Sequence, residues 1–194
     1  MSAPLTIGLT GGIAAGKSEA LAAFERLGAA TISSDAVVHE LIDSEPLLGR
    51  LIERWGADIA PGGEVDRGRI GEIVFADPEE LSWLESQIHP LVGERIGAWL
   101  ASLPEGTELA VVEVPLLFET GMDGVFDTTV AVVTSDSVRR ARAEARGHKL
   151  VAEREARQLA QMEKASRAEH VVENDGTVEE LERALSALVA KLSE

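Results

Sequence analysis

The residues Gly11-Gly12-Ile13-Ala14-Ala15-Gly16-Lys17-Ser18 carry the clearest chemistry in the sequence. They match G-x-x-x-x-G-K-[ST], a loop whose glycines let the backbone close round phosphate oxygens while successive N–H groups point inward. The last two positions have separate tasks. Lys17 would reach the β- and γ-phosphates of a nucleoside triphosphate, and Ser18 would ligate its magnesium ion. The plain alternative is a glycine-rich turn that caps a helix, which leaves the Lys-Ser pair unexplained.

Moving a phosphate from such a nucleotide requires a positioned acceptor and stabilised charge more than covalent help from the protein. Asp35, just beyond the second apolar run, is the candidate to take a proton from a substrate hydroxyl. It would stand at the carboxyl edge of a sheet, where open α/β folds hold their ligands. An aspartate after a strand also suits the N-cap of a helix, here Ala36 to Ile42, and the two roles can coexist. Arg139, Arg140, Arg142, Arg146, Arg154 and Arg157 gather between Val138 and Arg157 in an otherwise acidic chain. On a helical lid they would neutralise the transferring group and exclude water. With Glu144, Glu153 and Glu155 interspersed, they equally suit a solvated helix laced with i,i+4 ion pairs.

These groups need elements to hold them. Leu5, Ile7 and Leu9 alternate with Thr6 and Gly8, and after the loop Ala20, Leu21, Phe24 and Leu27 recur at helical spacing, so the order is strand, loop, helix. Further β-rich runs at Ala30 to Ile32, Leu109 to Val114, Thr129 to Val133 and His170 to Val172 alternate with helical patterns. This predicts an α/β fold with a mainly parallel five-stranded sheet. About seventy residues between the second and third runs read as a helical insertion, broken at Ala60-Pro61-Gly62-Gly63. Thr177 and Glu180 form a capping box for a last helix, whose buried stripe is Leu181, Leu185, Leu188 and Leu192.

Composition excludes several classes. A formal charge of −16 repels nucleic-acid backbones and anionic membranes, so neither is an expected partner. The absence of cysteine rules out disulfide and thiolate-metal chemistry and suits a cytoplasmic setting. No lysine or arginine precedes Lys17, and the most apolar stretch, Leu109 to Phe118, is far short of the ~20 residues of a membrane span. The expected assembly is a monomer or weak homo-oligomer.

Taken together, the stretches resemble the dephospho-CoA kinase family over nearly the whole chain. The resemblance rests on the phosphate loop and Ile32-Ser33-Ser34-Asp35, on Asp66-Arg67 leading to Ile73-Val74-Phe75-Ala76-Asp77-Pro78, and on Trp83-Leu84 with Ile88-His89-Pro90-Leu91. It continues through Val114-Pro115-Leu116-Leu117-Phe118-Glu119, Arg142, Arg146, Arg157 and Gln161 to Asn174-Asp175-Gly176. It implies a three-layer P-loop NTPase fold in three parts. A nucleotide-binding core would span 1–35 and 105–194, a helical insertion at 36–104 would hold the CoA precursor, and a lid would lie at about 138–160.

By the same resemblance the chain would use ATP and magnesium to phosphorylate the ribose 3′-hydroxyl of dephospho-CoA. Asp35, Lys17 and Arg142 would serve the chemistry. The loop from Gly11 to Ser18 with Glu19, Arg142, Arg146 and Asn174 would bind nucleotide. Asp35, His39, Arg67, His89, Leu117, Phe118 and Glu119 would surround the acceptor. The plain alternatives read His89 as a buried helix-terminal residue before Pro90, and Asn174 as part of a simple Asn-Asp-Gly turn. The chain departs from the family at Ser33, where the usual pattern is Asp-Ala-Asp, and at Glu169, which replaces an aspartate.

Overall fold

The computed structural model describes residues 3–145 and 158–192. Five strands, β1 (Leu5–Gly11), β2 (Ala30–Ser33), β3 (Leu109–Glu113), β4 (Thr128–Val133) and β5 (His170–Glu173), form one sheet in the order β2-β3-β1-β4-β5. Every pairing is parallel. The helices follow in chain order as α1 (Lys17–Arg26), α2 (Ser34–Leu41), α3 (Glu45–Trp55), α4 (Arg67–Ala76), α5 (Pro78–Ala101), α6 (Asp136–Ala145), α7 (Gln161–Arg167) and α8 (Val178–Leu192). Among the described residues none is long and apolar enough to cross a membrane.

The chain divides into two compact units, one of residues 1–33 with 103–194 and one of residues 34–102. In the first, the central strands β3, β1 and β4 are buried on both faces, which is why β3 reads as an unbroken apolar run up to Glu113. One face is sealed by Ala20, Ala23 and Phe24 of α1 and by Leu181 and Leu185 of α8, packed on Ile7, Leu9, Val111, Val130 and Val132. Glu180 accepts from the Thr177 N–H at 2.9 Å while the Thr177 hydroxyl accepts from the Glu180 N–H at 3.3 Å, so the expected capping box starts α8. On the other face Gly8 makes room for a ring. A Cβ there would stand 2.7 Å from Phe126 Cδ2 and 3.2 Å from Leu117 Cδ2.

The second unit is helical throughout its described elements. Leu84, Ile88, Val92 and Ile96 recur every fourth residue along α5 and form its buried stripe, while Leu47, Leu51, Ile70 and Val74 supply buried residues from α3 and α4. Asp66 caps α4 by accepting from the N–H groups of Gly68 and Arg69, and Asp77 caps α5 by accepting from that of Glu79, with Pro78 in the first turn. Pro90 does not end α5. It lies on the exposed side, as does Ser86 one turn earlier, so the carbonyl that loses its intrahelical donor can turn to water.

Three carboxylates pin the strands of the first unit. Asp127 accepts from the Thr6 N–H at 2.8 Å and its hydroxyl at 2.7 Å, Glu169 from the Thr129 N–H at 3.1 Å, and Asp175 from the Thr134 hydroxyl at 2.6 Å. Donors lower all three below the ordinary carboxylate range. For Asp127 the Thr6 N–H leads, for Glu169 the Thr128 hydroxyl, and for Asp175 the Thr134 hydroxyl. A depressed folded pKa contributes stability that is fully present above the unfolded value, about 4, and is lost as pH falls through the folded value. Urea unfolding of Asp127→Asn beside the unsubstituted protein should therefore show a midpoint gap at pH 7 that narrows steadily below about pH 4.

Candidate functional site

The central strand β1 runs straight into the phosphate loop. Its last residue, Gly11, is pressed so closely against the Val132 carbonyl oxygen of β4 that a Cβ would collide with it. Ala14 holds φ at 60°, and Gly16, the N-cap of α1, holds φ at 98°. These are conformations that L side chains resist. They leave the α1 N-terminus, with its partial positive charge, at the end of the loop. The Lys17 ammonium lies back along the loop and donates to the Gly11 and Gly12 carbonyls at 3.2 Å each. Ser18 is exposed in the first turn of α1, whereas Glu19 pairs with Arg26 at 3.1 Å.

Residues far away in sequence hold the loop in this shape. The buried Asn174, following β5, donates its side-chain N–H to the Ala15 carbonyl at 2.8 Å, and its amide nitrogen fills the place that a Cβ on Gly16 would take. Its own carbonyl accepts from Arg142 Nη1 of α6 at 2.9 Å and from the Thr134 hydroxyl at 3.1 Å. Arg142 thus stands beside the loop, its Nη1 only 3.6 Å from where a Gly16 Cβ would be. Gln161 brackets Thr134, accepting from its N–H at 3.1 Å and donating to its carbonyl at 2.7 Å, with its Cβ 3.2 Å from that of a residue at Gly12. Asn174 is therefore built into the wall of the loop and is no simple turn residue. Arg146, with Arg154 and Arg157, lies outside the described residues.

A cavity of about 410 Å³ opens against Gly12 and Ile13, walled by Arg139 of α6 and by Gln158, Leu159 and Gln161. Behind it, Leu117 is wholly buried and Phe118 partly so, while Glu119 accepts from the Leu159 N–H at 2.8 Å and pairs with Lys164 at 2.9 Å. Neither Thr134 nor Lys164 stands out in the sequence. The run Gln161-Met162-Glu163-Lys164 has the composition of a solvated helix, and no local pattern reveals that its lysine is enclosed.

In the second unit, Asp35 lies in the first turn of α2, which starts at Ser34, so it is not an N-cap. It is exposed, and no hydrogen bond ties its carboxylate within its own unit. Arg67 donates to the His39 carbonyl at 3.2 Å and to Asp43 at 3.1 Å, fixing the start of α4 against the end of α2. His89 is exposed in mid-helix on α5 and is neither buried nor terminal.

A parallel sheet in this order, with a phosphate loop leaving its central strand for the first helix, defines the P-loop kinases as the class of fold and site. A family model for dephospho-CoA kinase matches residues 5–180. A dephospho-CoA kinase of Streptomyces avermitilis is 36% identical over 97% of this chain and 94% of its own, and one of Hahella chejuensis is 42% identical over 73% and 68%. Among solved structures, TT1252 from Thermus thermophilus superposes with a TM-score of 0.84 at 36% identity over 98% of this chain and 99% of that one. A shikimate kinase from Acinetobacter baumannii shares the fold alone, with a TM-score of 0.54 at 14% identity over 98% and 94%. The chain belongs to the dephospho-CoA kinase family, whose members are ATP-dependent kinases.

Gly16→Ala would meet both an unfavourable φ and the Asn174 amide. The φ alone costs at least about 1 kcal/mol, roughly 2–4 °C in melting temperature at this chain length. Calorimetry should show that loss or more, and titration with ADP should show affinity down by at least about tenfold.

Proposed function

We propose that the protein transfers the γ-phosphate of ATP to the ribose 3′-hydroxyl of dephospho-CoA, yielding CoA and ADP. The observation that carries this reading is the phosphate loop held open by Asn174, with Lys17 and Arg142 beside it, in a chain of this family. The N–H groups of the loop and α1 would take the phosphate oxygens, Lys17 would turn from the Gly11 and Gly12 carbonyls to the β- and γ-phosphates, and Arg142 would balance charge on the transferring group. Arg146 and Glu19 are assigned to the nucleotide side by the family pattern.

Magnesium fits the donors present. The Ser18 hydroxyl is exposed at the helix start, and the described residues hold no cluster of three or more acidic or histidine side chains that would form a cage. Magnesium in kinases takes most of its ligands from phosphates and water, and the Ser18 hydroxyl would be the ligand that the loop supplies. The bound ion would neutralise charge on the β- and γ-oxygens.

Asp35 is assigned to orient the 3′-hydroxyl and accept its proton as the oxygen attacks phosphorus and ADP departs. Its exposed carboxylate suits that task. His39, Arg67, His89, Leu117, Phe118 and Glu119 are assigned to the acceptor side, with Leu117 as support from the interior. The acceptor should be dephospho-CoA, and the setting the cytoplasm.

ADP release measured with dephospho-CoA, adenosine, AMP, shikimate or no acceptor should rise only with dephospho-CoA, with CoA detected by mass. Turnover on another acceptor would overturn the assignment. Asp35→Ala should lower turnover by about 10²-fold or more while ATP affinity stays within about twofold, and surviving turnover would remove Asp35 from its role.

A further inference from the structure

One charged group lies wholly inside the first unit without a part in the chemistry so far described. Lys164 of α7 is fully buried. Its ammonium donates to the Pro115 carbonyl and pairs with Glu119 Oε1 at 2.9 Å. A lysine is almost never fully enclosed unless it is paired, and a buried pair is often no more stabilising than apolar residues of the same volume. Its partners show what else it does.

Each end of the pair leads toward the cavity beside the phosphate loop. The Pro115 carbonyl also accepts from the hydroxyl of Thr10 at 3.4 Å, and Thr10, itself buried, directly precedes Gly11 of the phosphate loop. Glu119 Oε1 also accepts from the Leu159 N–H at 2.8 Å, and Leu159 lines the cavity opposite Gly12 and Ile13. One ammonium thus connects the strand that launches the loop with the backbone that faces it. Gln161, at the head of the same helix, contacts both Thr134 and the space over Gly12.

We propose that Lys164 is a positioning residue for phosphate transfer, acting through Glu119 to fix the backbone around Leu159 as the wall of the nucleotide cavity. The proposal rests on the kinase reading above. It assigns Lys164 to nucleotide binding, with no part in moving the proton.

Lys164→Met removes the charge at similar length. ADP affinity by calorimetric titration should fall about tenfold. In steady-state assays the KM for ATP should rise by a similar factor, with kcat within about twofold. A purely structural role would instead scale kcat with the folded fraction and leave the KM for ATP alone. The charge-free pair Lys164→Met with Glu119→Gln keeps an acceptor for the Leu159 N–H and should recover ADP affinity to within about threefold, while Lys164→Met with Glu119→Ala should not. These double variants also carry the test if the single variant fails to fold.

Unchanged ADP affinity in folded Lys164→Met, or equal affinity in the two double variants, would overturn the proposal. Failure of every variant to fold would also overturn it, by making the pair a folding determinant alone. Because ADP titration needs no acceptor, an unsubstituted protein that binds ADP but does not phosphorylate dephospho-CoA would refute the substrate assignment and leave the Lys164 test standing.

Discussion

A loop that binds phosphate through its own N–H groups must expose them in one direction, and a short peptide will not hold that shape by itself. Ordering each residue costs about 1–2 kcal/mol, and the left-handed angle at Ala14 adds to the cost. The side chain of Asn174 on the Ala15 carbonyl is the contact on which the rest depends. It reaches the loop only because β4 and β5 run parallel in register, Val130 with His170 through Val133 with Glu173, and so end together beside it. The sheet order, the capping box of α8 and the carboxylate pins therefore serve to place one amide.

The same residue stations a cation beside the loop. Asn174 offers its carbonyl to Arg142 while its amide holds the loop, so a cation on α6 is stationed next to Gly16 by the residue that shapes Gly16. Lys17 lies on loop carbonyls and Lys164 on the Pro115 carbonyl and Glu119. In a chain of net charge −16, an anionic nucleotide can be held only where positive groups are individually fixed. Each of these has a backbone oxygen among its partners, which fixes its place.

Much of the fold was legible in the sequence because it rests on local signals. β-branched runs marked all five strands to within one or two residues, the glycine pattern marked the loop, and Thr177 with Glu180 marked the start of α8. What escaped local reading depends on partners distant along the chain. Lys164 sits in a polar heptapeptide, and only the return of Glu119 encloses it. Thr134 looks like an ordinary strand end until Gln161 and Asp175 close on it. Pro90 shows the converse: a residue that commonly ends helices is accommodated in α5 because tertiary packing holds the stripe Leu84 to Ile96 on one side and leaves the proline on the other.

The central claim is that the phosphate loop is held ready by Asn174, and calorimetric titration of ADP into Asn174→Ala tests it most directly. Loss of the amide leaves the Ala15 carbonyl without its donor and the loop without its brace, so affinity should fall by about tenfold or more. ADP affinity equal to that of the unsubstituted protein would mean that the loop holds its shape without Asn174, and would contradict the account.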